Sequence, residues 1–374
     1  MPNYPRFSAP VRKSPPSMIS DDALSFLKRL VETPSPSGFE EANAQHFRDY
    51  VAPFADEVHT DRHGNVIAAV NPKGETRIML SGHIDEIGFL IHHIADEGFC
   101  YFRPIGGHDT VVIVGQRVVV HTAKGPVPGV IGKKPIHLLT PEEREKGGKV
   151  EYHDLWIDLG ATGGKDEVAE SGVQIGDCVT YAVGYTSLLG DRITARALDN
   201  RIGAWVVAEA LRRVKDLHPQ AAVFAVASVQ EEIGLRGART AAYGIDPHIG
   251  IAVDVSFATD FPSMDKRKVS ELKLGKGPGI LRGANANRRL ADHLVKTATD
   301  AEIPYQLSIN PAGTGTDANA IQVSRAGVTT GLVDIPLRYM HTPCEMVSLS
   351  DADNAAELLA RACAKIGAED NWIP

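Results

Sequence analysis

The chain has 374 residues, 43% of them hydrophobic and 23% charged, with 35 glycines and 23 prolines. That is the balance of a globular protein with room for one large domain and a smaller one. A net charge of -8 argues against nucleic acid or an anionic membrane as partner, and short basic clusters such as Lys266-Arg267-Lys268 and Arg288-Arg289 read as solvated surface. Cys100, Cys178, Cys344 and Cys363 have neither the density nor the CxxC spacing of a disulfide framework or a zinc finger. No signal-peptide core follows the basic N-terminus, and no apolar run reaches the roughly 18 residues of a membrane span. The reading is a cytoplasmic chain with reduced thiols.

Residues 1–18 form a Pro-rich arm. Ser20 then caps a helix with Asp21 and Asp22 in its first turn and Leu24, Leu27, Leu30 and Val31 on one face. Pro34 to Gly38 breaks it. A second amphipathic segment runs through Phe47, Tyr50 and Val51, and strands are expected at 57–61, 66–70 and 76–82 around a His63-Gly64-Asn65 turn. From 87 to 186 the texture becomes β-branched and glycine-punctuated, which suggests a small β unit, barrel-like, with one short helix within 140–146. Beyond Leu198 the pattern predicts helices over 199–214, 289–300, 317–325 and 351–366, and strands over 221–229, 249–255, 305–309 and 329–334. The fold class expected is α/β: a mixed, doubly wound sheet with helices on both faces. Its catalytic domain is discontinuous, 19–86 and 187–374, and 87–186 is the insertion.

The chemistry-bearing residues cluster at strand ends. The apolar run Ile78-Met79-Leu80 delivers His83 to the carboxyl end of a strand, where open α/β sheets place their ligand crevices. Asp85 could accept the other imidazole N–H, although a His-x-Asp pair alone is more often a strand-end hydrogen bond than a site. Asp199 opens a helix so apolar that it must be buried; capping that helix and bridging two cations are both open to it. Glu231 and Glu232 end a very hydrophobic strand, and two adjacent carboxylates there would repel each other unless something positive stood beside them. Asp254 follows Ile249 to Val253 with no turn signal after it, and His341 lies in a Pro-flanked loop past another strand. Gly315-Thr316-Asp317 precedes a helix, as a cap or as a wall of the substrate cleft. Two His with several carboxylates is a ligand set for Zn, Co or Mn, with no thiolate and no all-oxygen calcium loop.

The runs SGHIDEIGF, RALDNRIGAW, VQEEIGLRGA, AVDVS, GTGTDANAIQ and HTPCEMVSLSD resemble the M42 metallo-aminopeptidases, the glutamyl aminopeptidase, deblocking aminopeptidase and TET group, in order from about residue 20 to 366. The resemblance implies that His83, Asp199 and Asp254 hold one metal ion and Asp199, Glu232 and His341 a second. Both would be divalent, with Zn first and Co or Mn alternatives. It makes Glu231 the catalytic base acting on a metal-bridging water, and Asp85 the carboxylate behind His83. It also implies peptide substrates with a free N-terminus, a homodimer built through the insertion, and the tetrahedral dodecamer that many members form. The chain departs from the family pattern by placing His108 in Gly106-Gly107-His108-Asp109 where a large aromatic is expected, and by its arm and tail. The other readings are an M20-type carboxypeptidase or N-acyl amino acid deacylase on the same architecture, and a non-catalytic peptide-binding scaffold that kept the fold.

Overall fold

The computed structural model describes residues 19–141, 150–265 and 267–373. The arm at 1–18, most of the helix expected within 140–146, and Lys266 of the first basic cluster lie outside the described residues. Helix α1 (Asp21–Glu32) starts as its sequence dictates, with the Ser20 hydroxyl accepting from the Ala23 amide at 3.2 Å, and it buries Phe26, Leu27, Leu30 and Val31. Helix α2 (Glu41–Val51) follows, then strands β1 (Glu57–Thr60), β2 (Val66–Val70) and β3 (Arg77–His83).

The chain next builds a closed barrel in the order β4-β5-β8-β7-β6-β9. Its strands are β4 (Gly88–Ile94), β5 (Cys100–Ile105), β6 (Arg117–Thr122), β7 (Gly125–Lys133), β8 (Leu155–Asp158) and β9 (Cys178–Tyr181). The short helices α3 (Thr110–Ile113) and α4 (Lys165–Ser171) lie between barrel strands in sequence. Phe89, Phe102, Val118, Val120, Ile157 and their neighbours fill the barrel, a core separate from the rest of the molecule. Closure leaves no open sheet edge in this unit.

After β10 (Thr186–Ser187) and β11 (Arg192–Ala195) comes the long helix α5 (Leu198–Asp216), then β12 (Ala222–Ser228), α6 (Arg236–Ile245), β13 (Ile249–Phe257), β14 (Gly279–Gly283), α7 (Arg288–Asp300), β15 (Gln306–Asn310), α8 (Asp317–Ile321), β16 (Thr329–Leu337), β17 (Glu345–Ser348) and α9 (Leu349–Ala364). Eight strands form one mixed sheet in the order β1-β2-β12-β3-β13-β16-β14-β15, and β10, β11 and β17 form a small second one. The central strands β12, β3, β13 and β16 run parallel, so their carboxyl ends share one edge. Helices α1, α2, α5, α7 and α9 contribute to the core on one face, and α6 and α8 to that on the other. Helix α5 is apolar nearly all round because it is enclosed: Trp205 is fully buried and its indole N–H donates to the Ala23 carbonyl at 2.8 Å.

Two differences from expectation have local causes. The helix expected to reach 325 stops at Ile321, where turns close from the Ser324 amide to the Ile321 carbonyl and from Gly327 to Ser324, with Arg325 and Gly327 at positive φ. Helix α6, for which no helix was expected, places Ala238, Ala241 and Ala242 against the sheet, a narrow stripe of small side chains. Among the described residues no helix is long and apolar enough to cross a membrane.

Candidate metal centre

The parallel strands bring the expected side chains together at their carboxyl edge. His83 is the last residue of β3 and pairs in register with Ser228, so the chain leaving β12 carries Glu231 and Glu232 past it. Asp254 lies inside β13, which runs to Phe257, two residues beyond the expected strand. Asp199 sits at the start of α5 with non-helical backbone angles, its peptide to Asn200 being cis.

His83 is 1% exposed, and its Nε2 faces Asp199 Oδ1 at 3.3 Å, Glu231 Oε2 at 3.7 Å and Asp254 Oδ1 at 4.0 Å. His341 Nε2 faces Asp199 Oδ2 at 3.2 Å and Glu232 Oε2 at 3.6 Å. Asp199 thus gives one oxygen to each imidazole. Donor atoms of His83, Asp199 and Asp254 lie within 4.8 Å of one another, as do those of Asp199, Glu232 and His341. Asp85 stands 3.3 Å from His83 Nδ1. It also accepts from the Glu231 amide at 3.1 Å, the Glu232 amide at 3.2 Å and the Ser37 hydroxyl at 2.7 Å, so it fixes the loop bearing both glutamates while standing against the ring.

The electrostatics are those of crowded anions. Burial, then the neighbouring carboxylates Asp254, Asp317 and Asp199, push Glu231 up to about 10 despite the opposing pull of His83. Burial and Asp199 raise Glu232 well above the usual carboxylate range, and burial does the same to Asp254. Burial disfavours the charged form of Asp199 too, but hydrogen bonds from His341 and His83 outweigh it and hold its pKa far down. Burial likewise opposes a charged His83, yet Glu231, Asp199 and Asp85 raise its pKa well above the usual value. Glu232 Oε1 is buried without a hydrogen-bond partner. Excess carboxylate, an orphaned carboxylate oxygen and two converging imidazoles suit divalent cations, so the residues present fit the ions that the sequence implies.

Sequence reasoning missed two contributors, Glu345 and the cluster around Glu86. Glu345, 2% exposed at the start of β17, accepts from the Asp199 amide at 2.9 Å with Oε2 and from the His341 amide at 2.8 Å with Oε1. One carboxylate therefore tethers the backbones of two candidate ligands; the signal available was an acid beginning an otherwise apolar strand four residues after His341. Glu86 forms a buried cluster with Arg196 and Arg201, and Arg201 also donates to Ser35 Oγ at 2.6 Å. Asp317, expected as a cap or cleft wall, is 2% exposed and accepts from Ser81 and Ser228 at 2.7 and 2.6 Å, between β3 and β12 and beneath the site. Of its neighbours, Thr316 is buried, and Gly315, at φ +75, has open space where a Cβ would stand.

The profile of the M42 peptidases, described as M42 glutamyl aminopeptidase, matches residues 64–358. The chain belongs to the M42 peptidase family. It is 39% identical to the lysyl aminopeptidase of Pyrococcus furiosus over 334 residues, covering 89% of this chain and 94% of that protein. Among solved structures it matches a TET aminopeptidase from a marine-sediment archaeon of the Thaumarchaeota with a TM-score of 0.88 and 38% identity, over 93% of this chain and 98% of the other. A TET peptidase of Pyrococcus horikoshii matches with a TM-score of 0.80 and 31% identity, over 92% of this chain and all of that one; it can assemble into a tetrahedron or a large octahedral shell. This M42 protein is accordingly a metal-dependent aminopeptidase, a peptide hydrolase, and its mixed sheet with an attached closed barrel is the TET peptidase fold.

Proposed function

We propose that the protein is a dinuclear aminopeptidase in which His83, Asp199 and Asp254 hold one divalent ion, Asp199, Glu232 and His341 hold the other, and Glu231 is the general base. The observation that carries the reading is the division of Asp199, with Oδ1 3.3 Å from His83 Nε2 and Oδ2 3.2 Å from His341 Nε2. Each half then has one further carboxylate, which leaves Glu231 without a ligand's task. Zn is the ion assigned, and the same donor set accepts Co or Mn.

Bound there, the ions supply Lewis-acid chemistry, lowering the pKa of a water and polarising the scissile carbonyl. Glu231 takes the proton of the attacking water and returns it to the leaving amine. Asp85 holds His83 and the Glu231-Glu232 backbone in place, and Glu345 does the same for Asp199 and His341. The substrate is a peptide with a free N-terminus. Gly315-Thr316-Asp317 lies next to its binding cleft, Gly315 at the surface and Asp317 under the metal ligands.

We divide the chain into a catalytic domain of 19–86 and 187–374 and an insertion of 87–186. The insertion makes the homodimer, and dimers build the shell-like assembly described for the Pyrococcus horikoshii relative. The reading is tested by loading metal-stripped protein with each of Zn, Co and Mn and assaying a panel of aminoacyl p-nitroanilides beside N-acyl amino acids. Turnover confined to the free-amine substrates, at two ions per chain, is expected; turnover of the N-acyl compounds or a single ion at full activity would sink it.

A further inference from the structure

No candidate ligand comes from the barrel, yet one of its loops reaches the site. Gly106 has φ +73, and a Cβ there would stand 2.6 Å from Ile87 Cγ2 and 3.3 Å from Glu232 Oε2. A Cβ on Gly107 would stand 3.5 Å from His341 Nδ1 and 3.8 Å from its Cε1. The backbone of Gly106-Gly107 therefore lies against the Glu232 side chain and the Nδ1 edge of His341, while His341 Nε2 faces Asp199 and Glu232. Gly106 needs both the left-handed backbone and the close approach that glycine allows, whereas a Cβ on Gly107 would sit in van der Waals contact with His341, so only a larger side chain there would crowd the ring.

What fixes this loop is the next residue. His108 Nε2 lies 2.9 Å from the Gly88 carbonyl and 3.2 Å from the Ile105 carbonyl, two groups that only accept, so Nε2 carries the hydrogen. Its Nδ1 is then the acceptor for the Tyr181 hydroxyl at 3.0 Å. The ring stacks on Phe89 with centroids 4.4 Å apart at 23° and meets Tyr181 edge-on. Burial pushes the imidazole down to about 4, so it is neutral through the physiological range and keeps this donor-acceptor pattern. Gly88 and Phe89 are on β4, Ile105 ends β5 and Tyr181 ends β9, so one side chain ties the loop to three barrel strands.

We propose that His108 is a positioning residue for the second ion: by pinning Gly106-Gly107 to the barrel, it holds Glu232 and His341 in the geometry that binds metal. This rests on the two-ion reading above. It makes the barrel loop part of the metal centre, with an effect on one half-site and not on the other, because among the described barrel glycines none places a Cβ against His83 or Asp254.

The test is calorimetric titration of the metal-stripped full chain with Zn, for the wild type, His108→Ala, His108→Gln and Gly107→Val. Val120→Ala, a truncation in the barrel core outside the loop, serves as control. The wild type should bind in two steps. His108→Ala should weaken one step by about 10- to 100-fold, the range for partners that orient metal ligands, and leave the other within a few-fold. His108→Gln keeps a donor and an acceptor and should recover part of that loss. Gly107→Val crowds the imidazole and should weaken the same step, which keeps the idea testable should His108→Ala fail to fold. Two unchanged steps in His108→Ala, or an equal loss in Val120→Ala, would overturn the proposal. A wild type that binds one ion refutes the two-ion reading by itself, and the loop's role then stands only if His108→Ala weakens that ion.

Discussion

Replacing Glu345 by Gln removes one of two tethers on the candidate ligands and should be read out in metal affinity. Its carboxylate accepts from the Asp199 and His341 amides at 2.9 and 2.8 Å in a position only 2% exposed. A carboxamide keeps one acceptor and turns an N–H donor toward the other amide, so one hydrogen bond is lost and one backbone donor is stranded. A hydrogen bond to a charged group is worth about 1.5–3 kcal/mol. If that loss falls on the bound state, it is roughly 10- to 150-fold in affinity. Chelator competition for Zn, with a thermal melt of the metal-free variant beside it, separates ligand placement from general stability. A lower melting temperature with unchanged Zn affinity would refute the tether and leave Glu345 a purely structural residue.

Asp85→Asn should weaken metal binding by about 10- to 100-fold, as loss of a partner behind a metal-bound histidine typically does; chelator competition measures it, and unchanged affinity would contradict the orienting role. Asp334 is buried, accepts from Ser308 and is pushed up to about 7. Its folded pKa lies above the unfolded one, so the native state holds more protons and stability falls as pH rises between about 4 and 7, by up to about 1.4 kcal/mol per pH unit. Asp334→Asn should flatten that slope in urea unfolding at pH 5 and pH 7, and an unchanged slope would exclude Asp334 as its source. Stripping the ions should lower the melting temperature, because ligands that bind only the native state stabilise it, and re-addition of Zn should restore it; a melt indifferent to metal would argue against the site.

The parts of this molecule legible in its sequence were those that act through their own side chains in their own segment. An apolar run ending in His83, another ending in Glu231-Glu232 and a third carrying Asp254 announce strands that end together, because parallel strands share an edge. Glu345 was not legible as a tether because it works on the backbone amide of Asp199, 146 positions away. Asp317 was expected as a cap or a wall of the substrate cleft, and its bonds to Ser81 and Ser228 were not legible because only the sheet brings those two serines together. Gly106 and Gly107 carry no side chain to signal chemistry; their importance is the proximity of Glu232 and His341.

The central claim is that the adjacent glutamates have separate tasks, Glu232 holding metal and Glu231 moving a proton. Metal content and turnover measured on the same preparations of Glu231→Gln and Glu232→Gln test it most directly. Glu231→Gln should retain both ions and lose several orders of magnitude in kcat, while Glu232→Gln should lose an ion. Wild-type-like turnover in Glu231→Gln, or full metal content in Glu232→Gln, would contradict the account.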